Sequence, residues 1–239
     1  MIKIRKRGKE MYQHILFDLD GTLTDPKVGI TSAVAYALKA YGIEVEDLDT
    51  LCKFIGPPLA DSFMEYYGFD REQAVEAVEK YREYFSVRGL YENKVYPGIE
   101  KLLKELTEQG KNVYLATSKP EVYAKQILEH FHLTAYFTFI GGSELSGERV
   151  RKGDVIAYVL EHGQITDRDQ VIMVGDRMHD VLGAKEQNVP CIGVLYGYGN
   201  REELEDAGAA MIKASVEELR GVLVQQFDCI ENKTEYRKR

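Results

Sequence analysis

The apolar positions of this chain gather into short runs: His14 to Leu19, Asn112 to Ala116, Tyr136 to Ile140, Gln170 to Val174 and Val189 to Leu195. Each is the length of a strand, and apolarity on successive positions predicts strands buried on both faces. Between most of the runs the spacing turns helical, as in Ile99, Leu102, Leu103 and Leu106 closed by Gly110, and in Val122, Ile127 and Leu128 after Pro120. Alternating strands and helices predict an α/β fold, a parallel sheet with helices on both faces.

One stretch departs from that rhythm. From Pro26 to about Tyr96 no strand pattern appears, while helical spacing recurs in Ile30, Val34, Leu38 and Tyr41, in Leu59, Phe63 and Tyr67, and in Ala74, Val78, Tyr81 and Phe85, with stops at Gly42, Gly68 and Gly89. This predicts a helical insert that leaves after the first strand and returns at Tyr96-Pro97-Gly98. It would hang over the carboxyl ends of the strands, where open α/β sheets bind ligands. The expected division is a basic tail at 1–11, a core formed by 12–25 and 97–227, the helical insert at 26–96 and a second tail at 228–239.

Charge and cysteine usage narrow the partners. The 239 residues carry a net charge of −8, and without Lys3, Arg5, Lys6, Arg7, Lys9 and Glu10 the balance is −12. An acidic body repels nucleic-acid polymers and anionic membranes, so a small molecule or a protein is the expected partner. The three cysteines, Cys52, Cys191 and Cys229, are widely spaced with no CxxC, and no apolar run approaches 18 residues. A reducing, cytoplasmic location is the expectation.

Chemistry concentrates where the strands end. The run Ile15-Leu16-Phe17 closes on Asp18-Leu19-Asp20-Gly21-Thr22, two carboxylates two residues apart on one side of an ideal strand. Like charges about 4 Å apart repel by roughly 4 kcal/mol at an effective dielectric near 20, so a cation is expected between them. The run ending at Val174 delivers Asp176 and Asp180 to the same edge. An all-oxygen set of this kind suits Mg²⁺. Thr117 and Ser118 follow the middle strand as a hydroxyl pair at an expected helix start, which is an anion site or an N-cap. Lys152 stands just before an expected helix from Val155 to Glu161, with Arg149 and Arg151 as competing cations.

Taken together, DxDGT at Asp18 to Thr22, Thr117, Lys152 and GDxxxD at Gly175 to Asp180 resemble, in that order, the four motifs of the haloacid dehalogenase superfamily of phosphohydrolases. The similarity runs from about Tyr12 to Leu223. The insert resembles that family's helical C1 cap, and Phe54 to Leu59 with Gly89 to Gly98 are most similar to the phosphoglycolate-phosphatase-like and 5'-nucleotidase-like branch. The resemblance implies a Rossmann-like core and Mg²⁺-dependent hydrolysis of a small phosphate ester in two steps. Asp18 would be the nucleophile and Asp20 the acid and base. Asp18, Asp176 and the Asp20 main-chain carbonyl would hold the metal, with Asp180 steering them from behind. Thr117, Ser118, Lys152, Gly21 and Thr22 would bind the phosphoryl group.

Two other classes share part of this pattern. A phosphoryl mutase of the β-phosphoglucomutase type uses the same four motifs with a different acceptor. A receiver-type switch also gathers acids, a hydroxyl and a lysine around a phosphorylated aspartate, but the acid two residues on and the insert of roughly 70 residues are features it does not need. For specificity, Lys53, the Gly56-Pro57-Pro58 turn and the tyrosines Tyr66, Tyr67, Tyr81 and Tyr84 are the insert's candidates.

Overall fold

The first strand, β1 (His14–Phe17), is buried from Ile15 to Phe17, as its unbroken apolarity requires. After it come, in chain order, β2 (Thr24–Asp25), α1 (Lys27–Lys39), α2 (Leu59–Tyr67), α3 (Arg71–Tyr84), β3 (Lys94–Val95), α4 (Ile99–Glu108), β4 (Asn112–Pro120), α5 (Glu121–His130), β5 (Phe139–Ser143), α6 (Lys152–His162), β6 (Val171–Gly175), α7 (Met178–Glu186), β7 (Cys191–Val194), α8 (Arg201–Ala207), β8 (Met211–Lys213) and α9 (Val216–Leu223). This computed structural model describes residues 12–224. The expected tails at 1–11 and 228–239, the last residues of the expected core and Cys229 lie outside them.

Six strands form one parallel sheet in the order β5-β4-β1-β6-β7-β8. Alternation along each central strand feeds two separate cores. Ile15, Phe17, Val113, Leu115, Ile172 and Val174 join one cluster, and Leu16, Tyr114, Ala116, Val171 and Met173 join the other. The sheet is therefore covered on both faces, the Rossmann-like arrangement. From β1 the chain moves outward through β4 to β5, then returns beside β1 at β6 and continues the other way. The crevice at that reversal lies at the carboxyl ends of β1 and β6, the usual ligand position in an open α/β sheet.

Between β1 and α4 the chain is mostly helical. A 3₁₀ helix at Leu48–Phe54 joins α1 to α2, and a single π turn at Phe85–Gly89 extends α3. The two connections to the sheet are themselves paired, with Thr24 opposite Val95 and Asp25 opposite Lys94 in an antiparallel ribbon. That ribbon falls where no strand was expected, because two residues are too few to show a period. Helix starts use local chemistry: Asp70 accepts from Gln73 N at 2.9 Å while Gln73 returns the bond to Asp70 N at 3.0 Å, a capping box that opens α3.

Three expectations are corrected. The run Tyr136 to Ile140 is displaced: Thr134–Tyr136 is a 3₁₀ turn and the strand is Phe139–Ser143, whose glycines carry no apolar signal. Thr117 and Ser118 do not start a helix. The residue before a proline is driven extended, so β4 continues through Pro120 and α5 begins at Glu121. Lys152 does not precede its helix but is the first residue of α6.

Candidate active site

Asp18 leaves β1 with its N–H still donating to Val174 O of the neighbouring strand at 2.9 Å, which fixes where its carboxylate emerges. The chain then turns at once: the N–H groups of Thr22, Leu23 and Thr24 all donate to Leu19 O, at 3.2, 2.8 and 3.0 Å. Gly21 sits in this turn at φ +83°, and a Cβ there would lie 2.1 Å from Asp176 Oδ2. Glycine is required both for the backbone conformation and for the approach of the second strand's carboxylate.

From β6, Asp176 is fully buried and Asp180, on the first turn of α7, is 1% exposed. One carboxylate oxygen from each of Asp18, Asp176 and Asp180 falls within 4.8 Å of the others. Lys152 reaches into this group from α6. Its Nζ donates to Asp18 Oδ1 at 2.7 Å and to Ala116 O at 3.1 Å, and lies 2.8 Å from Asp180 Oδ1. Asp180 Oδ2 accepts from Arg177 N at 3.0 Å, so it also organises the loop that presents Asp176. Asp176 Oδ2 accepts from Tyr198 N at 2.7 Å, whereas its Oδ1 is buried without a partner.

The electrostatics follow from burial. Burial alone pulls the Lys152 ammonium down, but Asp18 and Asp180 outweigh it and hold the group above the ordinary lysine value. Burial raises Asp176 well above the carboxylate range, and Asp180 and Asp18 push it further. One cation thus faces three acids. The unpartnered oxygen, the all-carboxylate donors and the surplus negative charge are what a divalent cation would neutralise, and these residues fit one.

Asp20 stands apart from the trio. Its Oδ2 is 2.9 Å from Lys119 Nζ, and its Oδ1 is buried without a partner. Burial raises its carboxyl, against a lowering by Lys119. Thr117 is buried and its Oγ1 accepts from Lys119 N at 3.2 Å, a turn at the strand end in place of a helix cap. Thr22 is buried with its hydroxyl unpartnered, and its carbonyl accepts from Tyr196 OH at 3.1 Å.

A cavity of about 230 Å³ opens between sheet and helices. Asp18, Asp20, Thr117, Ser118 and Lys119 line its floor, and Phe54, Pro57, Leu59, Tyr81, Phe85 and Tyr123 supply apolar walls. Of the specificity candidates, the Gly56-Pro57-Pro58 turn and Tyr81 line it. Lys53 instead packs over Tyr66, 4.3 Å from the ring centre, and Tyr66 and Tyr67 pack around Phe54. The structure therefore gathers Asp18, Lys152, Asp176 and Asp180 at one point, with Asp20, Thr117 and Ser118 beside them.

A profile of haloacid dehalogenase-like hydrolases matches residues 15–194. A 5'-nucleotidase of Pseudomonas aeruginosa is 49% identical over 212 residues, 89% of this chain and 96% of the relative. A phosphoglycolate phosphatase of the same organism is 29% identical over 86% of this chain and 77% of the relative. Among solved structures, a predicted phosphatase from Clostridium acetobutylicum superposes with a TM-score of 0.87 at 54% identity, over 89% of this chain and 98% of that one. The chain belongs to the haloacid dehalogenase-like hydrolase family, and it is a phosphatase. No helix among the described residues is long and apolar enough to cross a membrane.

Proposed function

We propose that this phosphatase is a Mg²⁺-dependent phosphomonoester hydrolase that acts on nucleoside 5'-monophosphates through an aspartyl-phosphate on Asp18. The observation that carries the chemistry is the Asp18 carboxylate, emerging at the sheet crevice with one oxygen clamped by Lys152 and two further acids beside it. Asp18, Asp176 and the Asp20 main-chain carbonyl would hold the cation, with Asp180 behind them. Bound there, Mg²⁺ supplies positive charge that lets an anionic nucleophile approach an anionic ester.

The chain's own residues supply the rest. Lys152 fixes the orientation of Asp18 and offsets charge gathering on the phosphoryl oxygens. Thr117 and Ser118, at the open end of β4, offer hydroxyl and main-chain donors to the same oxygens, whereas the N–H groups of Gly21 and Thr22, expected to do so too, are taken up by Thr24 O and Leu19 O, so that turn serves to place Asp20 and Asp176. Asp20 protonates the leaving alcohol, then takes a proton from the water that hydrolyses the aspartyl-phosphate. The helices 26–96 act as a C1 cap that closes the cavity from above and excludes bulk water while the intermediate stands.

Two features support a nucleotide over phosphoglycolate. The cavity walls are aromatic and apolar, suited to a base and sugar. Its lining cations, Lys119 and Arg82, are each already paired, with Asp20 and Glu79, and leave none free for a second carboxylate. The test is phosphate release from nucleoside 5'-monophosphates, phosphoglycolate and sugar phosphates, with Mg²⁺ and with EDTA. Turnover should be fastest on a nucleotide and stop in EDTA. Asp18→Asn should abolish it with the circular dichroism spectrum unchanged. Faster turnover of phosphoglycolate overturns the substrate assignment, and an active Asp18→Asn overturns the nucleophile.

A further inference from the structure

Lys119 is a second buried cation in the site, and no step above employs it. It lies two residues beyond Thr117 on the extended end of β4, with a side chain only 5% exposed. Its ammonium is 2.9 Å from Asp20 Oδ2 and 4.3 Å from the centre of the Phe85 ring, which the cap places over it. Tyr123 packs edge-on against that ring from α5, at 5.7 Å between centroids. Withdrawing a lysine from water costs several kcal/mol unless a carboxylate compensates, and among the described residues Asp20 is the one carboxylate within ion-pair distance. The pairing divides the two oxygens of Asp20 into different environments. Oδ2 is tied to the ammonium, and Oδ1 is buried, has no partner and belongs to a residue that lines the cavity.

We propose that Lys119 is the positioning residue for acid and base catalysis: it clamps Asp20 by Oδ2 so that Oδ1 faces the scissile oxygen and carries the proton in both half-reactions. This rests on the reading of Asp20 as the acid and base. In the first half, Asp18 bonds to phosphorus as the bond from phosphorus to the ester oxygen breaks. That oxygen keeps the electron pair and takes the proton from Oδ1, which leaves Asp20 anionic beside the ammonium. In the second, Oδ1 removes a proton from water as the water oxygen bonds to phosphorus, and the electron pair of the breaking bond returns to Asp18. Lys119 remains charged throughout and touches no reacting atom. The Phe85 ring packs against the same ammonium that holds Asp20, so seating the cap and holding the acid in place are one packing event.

The test compares Lys119→Met with Asp20→Asn on two substrates, a nucleoside 5'-monophosphate, whose alkoxide must be protonated to leave, and p-nitrophenyl phosphate, whose phenolate leaves unprotonated. Positioned acid catalysis contributes about 10²–10⁴-fold. Asp20→Asn should therefore lose at least about 100-fold more kcat/KM, which reads the step that forms the aspartyl-phosphate and not its hydrolysis, on the nucleotide than on the aryl ester, and Lys119→Met should show the same bias. The double variant should be no more biased than Asp20→Asn alone, and Lys119→Arg, which keeps the charge, should recover roughly tenfold of the nucleotide rate lost in Lys119→Met. Equal losses of kcat/KM on both substrates overturn the proposal in favour of packing or substrate binding. If Asp20→Asn itself shows no bias, the acid role of Asp20 fails and the role of Lys119 with it, while the nucleophile remains separately tested by Asp18→Asn. Should Lys119→Met not fold, Lys119→Arg against wild type reads the same bias.

Discussion

At the scale of single residues, the site is set by a close approach at Gly21 and by the one ammonium that Asp18 and Asp180 share. Gly21→Ala would drive a methyl to 2.1 Å from Asp176 Oδ2 at a φ of +83° that alanine resists. It should lower kcat at least 100-fold and weaken Mg²⁺ binding, measured by calorimetry on protein that still melts cooperatively. Lys152→Met leaves Asp18 and Asp180 buried without their cation. Breaking a buried pair from one side costs about 3–5 kcal/mol, so a lower denaturation midpoint should accompany the loss of turnover. Asp18, Asp20 and Asp176 are legible because carboxylates leaving buried strands have no comfortable structural explanation, whereas Asp180 reads equally as a cap of α7, and its Oδ2 does accept from Arg177 N. Lys152 was separable from Arg149 and Arg151 only by its nearness to a helix start. In the structure Arg149 pairs with Glu144 and stacks on Tyr158, and Arg151 pairs with Glu186 at the surface. Lys119 carries no signal in the sequence, since a lone lysine before a proline is by default a solvated side chain, and only the fold brings it to Asp20. Gly183 likewise carried no signal, yet a Cβ there would lie 2.8 Å from Lys152 Cγ.

Between elements, the loop after β6 is tied to the helices above it by Arg177. Its Nη1 donates to Ile55 O at 2.6 Å, and its Nε donates to Glu203 Oε1 at 2.8 Å. The same Glu203 oxygen accepts from Met178 N at 2.8 Å, so one carboxylate holds both the start of α7 and the arginine. Arg177 thereby joins the residue after Asp176 to the Gly56-Pro57-Pro58 turn that walls the cavity. Hydrogen bonds from a charged donor are worth about 1.5–3 kcal/mol each. Arg177→Met should release that turn, raising KM for substrate roughly tenfold with a smaller fall in kcat, and speeding hydrogen exchange of the amides from Phe54 to Leu59. Unchanged exchange there would mean that the turn is held by its own prolines. The strands that flank the site were visible as apolar runs because both of their faces are buried. The edges are less legible: β5, expected at Tyr136 to Ile140, runs on through Gly141 and Gly142 to Ser143, and β8 has only three residues, so neither builds a full pattern along the chain. The 3₁₀ helix at Leu48–Phe54 and the ribbon of β2 with β3 escaped for the same reason, being too short for a period to show.

For the molecule as a whole, the burial of Asp18, Asp176 and Asp180 beside one another opposes folding. Three carboxylates are buried together against one ammonium, and Asp176 is raised first by burial and then by the other two acids. A carboxyl whose folded value exceeds its unfolded value binds its proton more tightly in the folded chain, so it costs stability at high pH. That cost is complete above the folded value and disappears as pH falls toward the ordinary carboxylate value near 4. Asp176→Asn removes it. In EDTA at pH 7.5 the variant should melt above the wild type by roughly 2–4 °C, the shift that about 1 kcal/mol produces in a domain of this size. The margin should shrink as the pH is lowered toward 5. Adding Mg²⁺ should reverse the order, because a ligand that binds only the folded chain stabilises the wild type by mass action while the variant has lost a donor. Thermal melts of the two proteins across pH, with EDTA and with Mg²⁺, decide it. A margin that widens on acidification would mean that the Asp176 carboxylate is stabilised in the folded protein by its bond from Tyr198, and that the pocket is not strained by its charge.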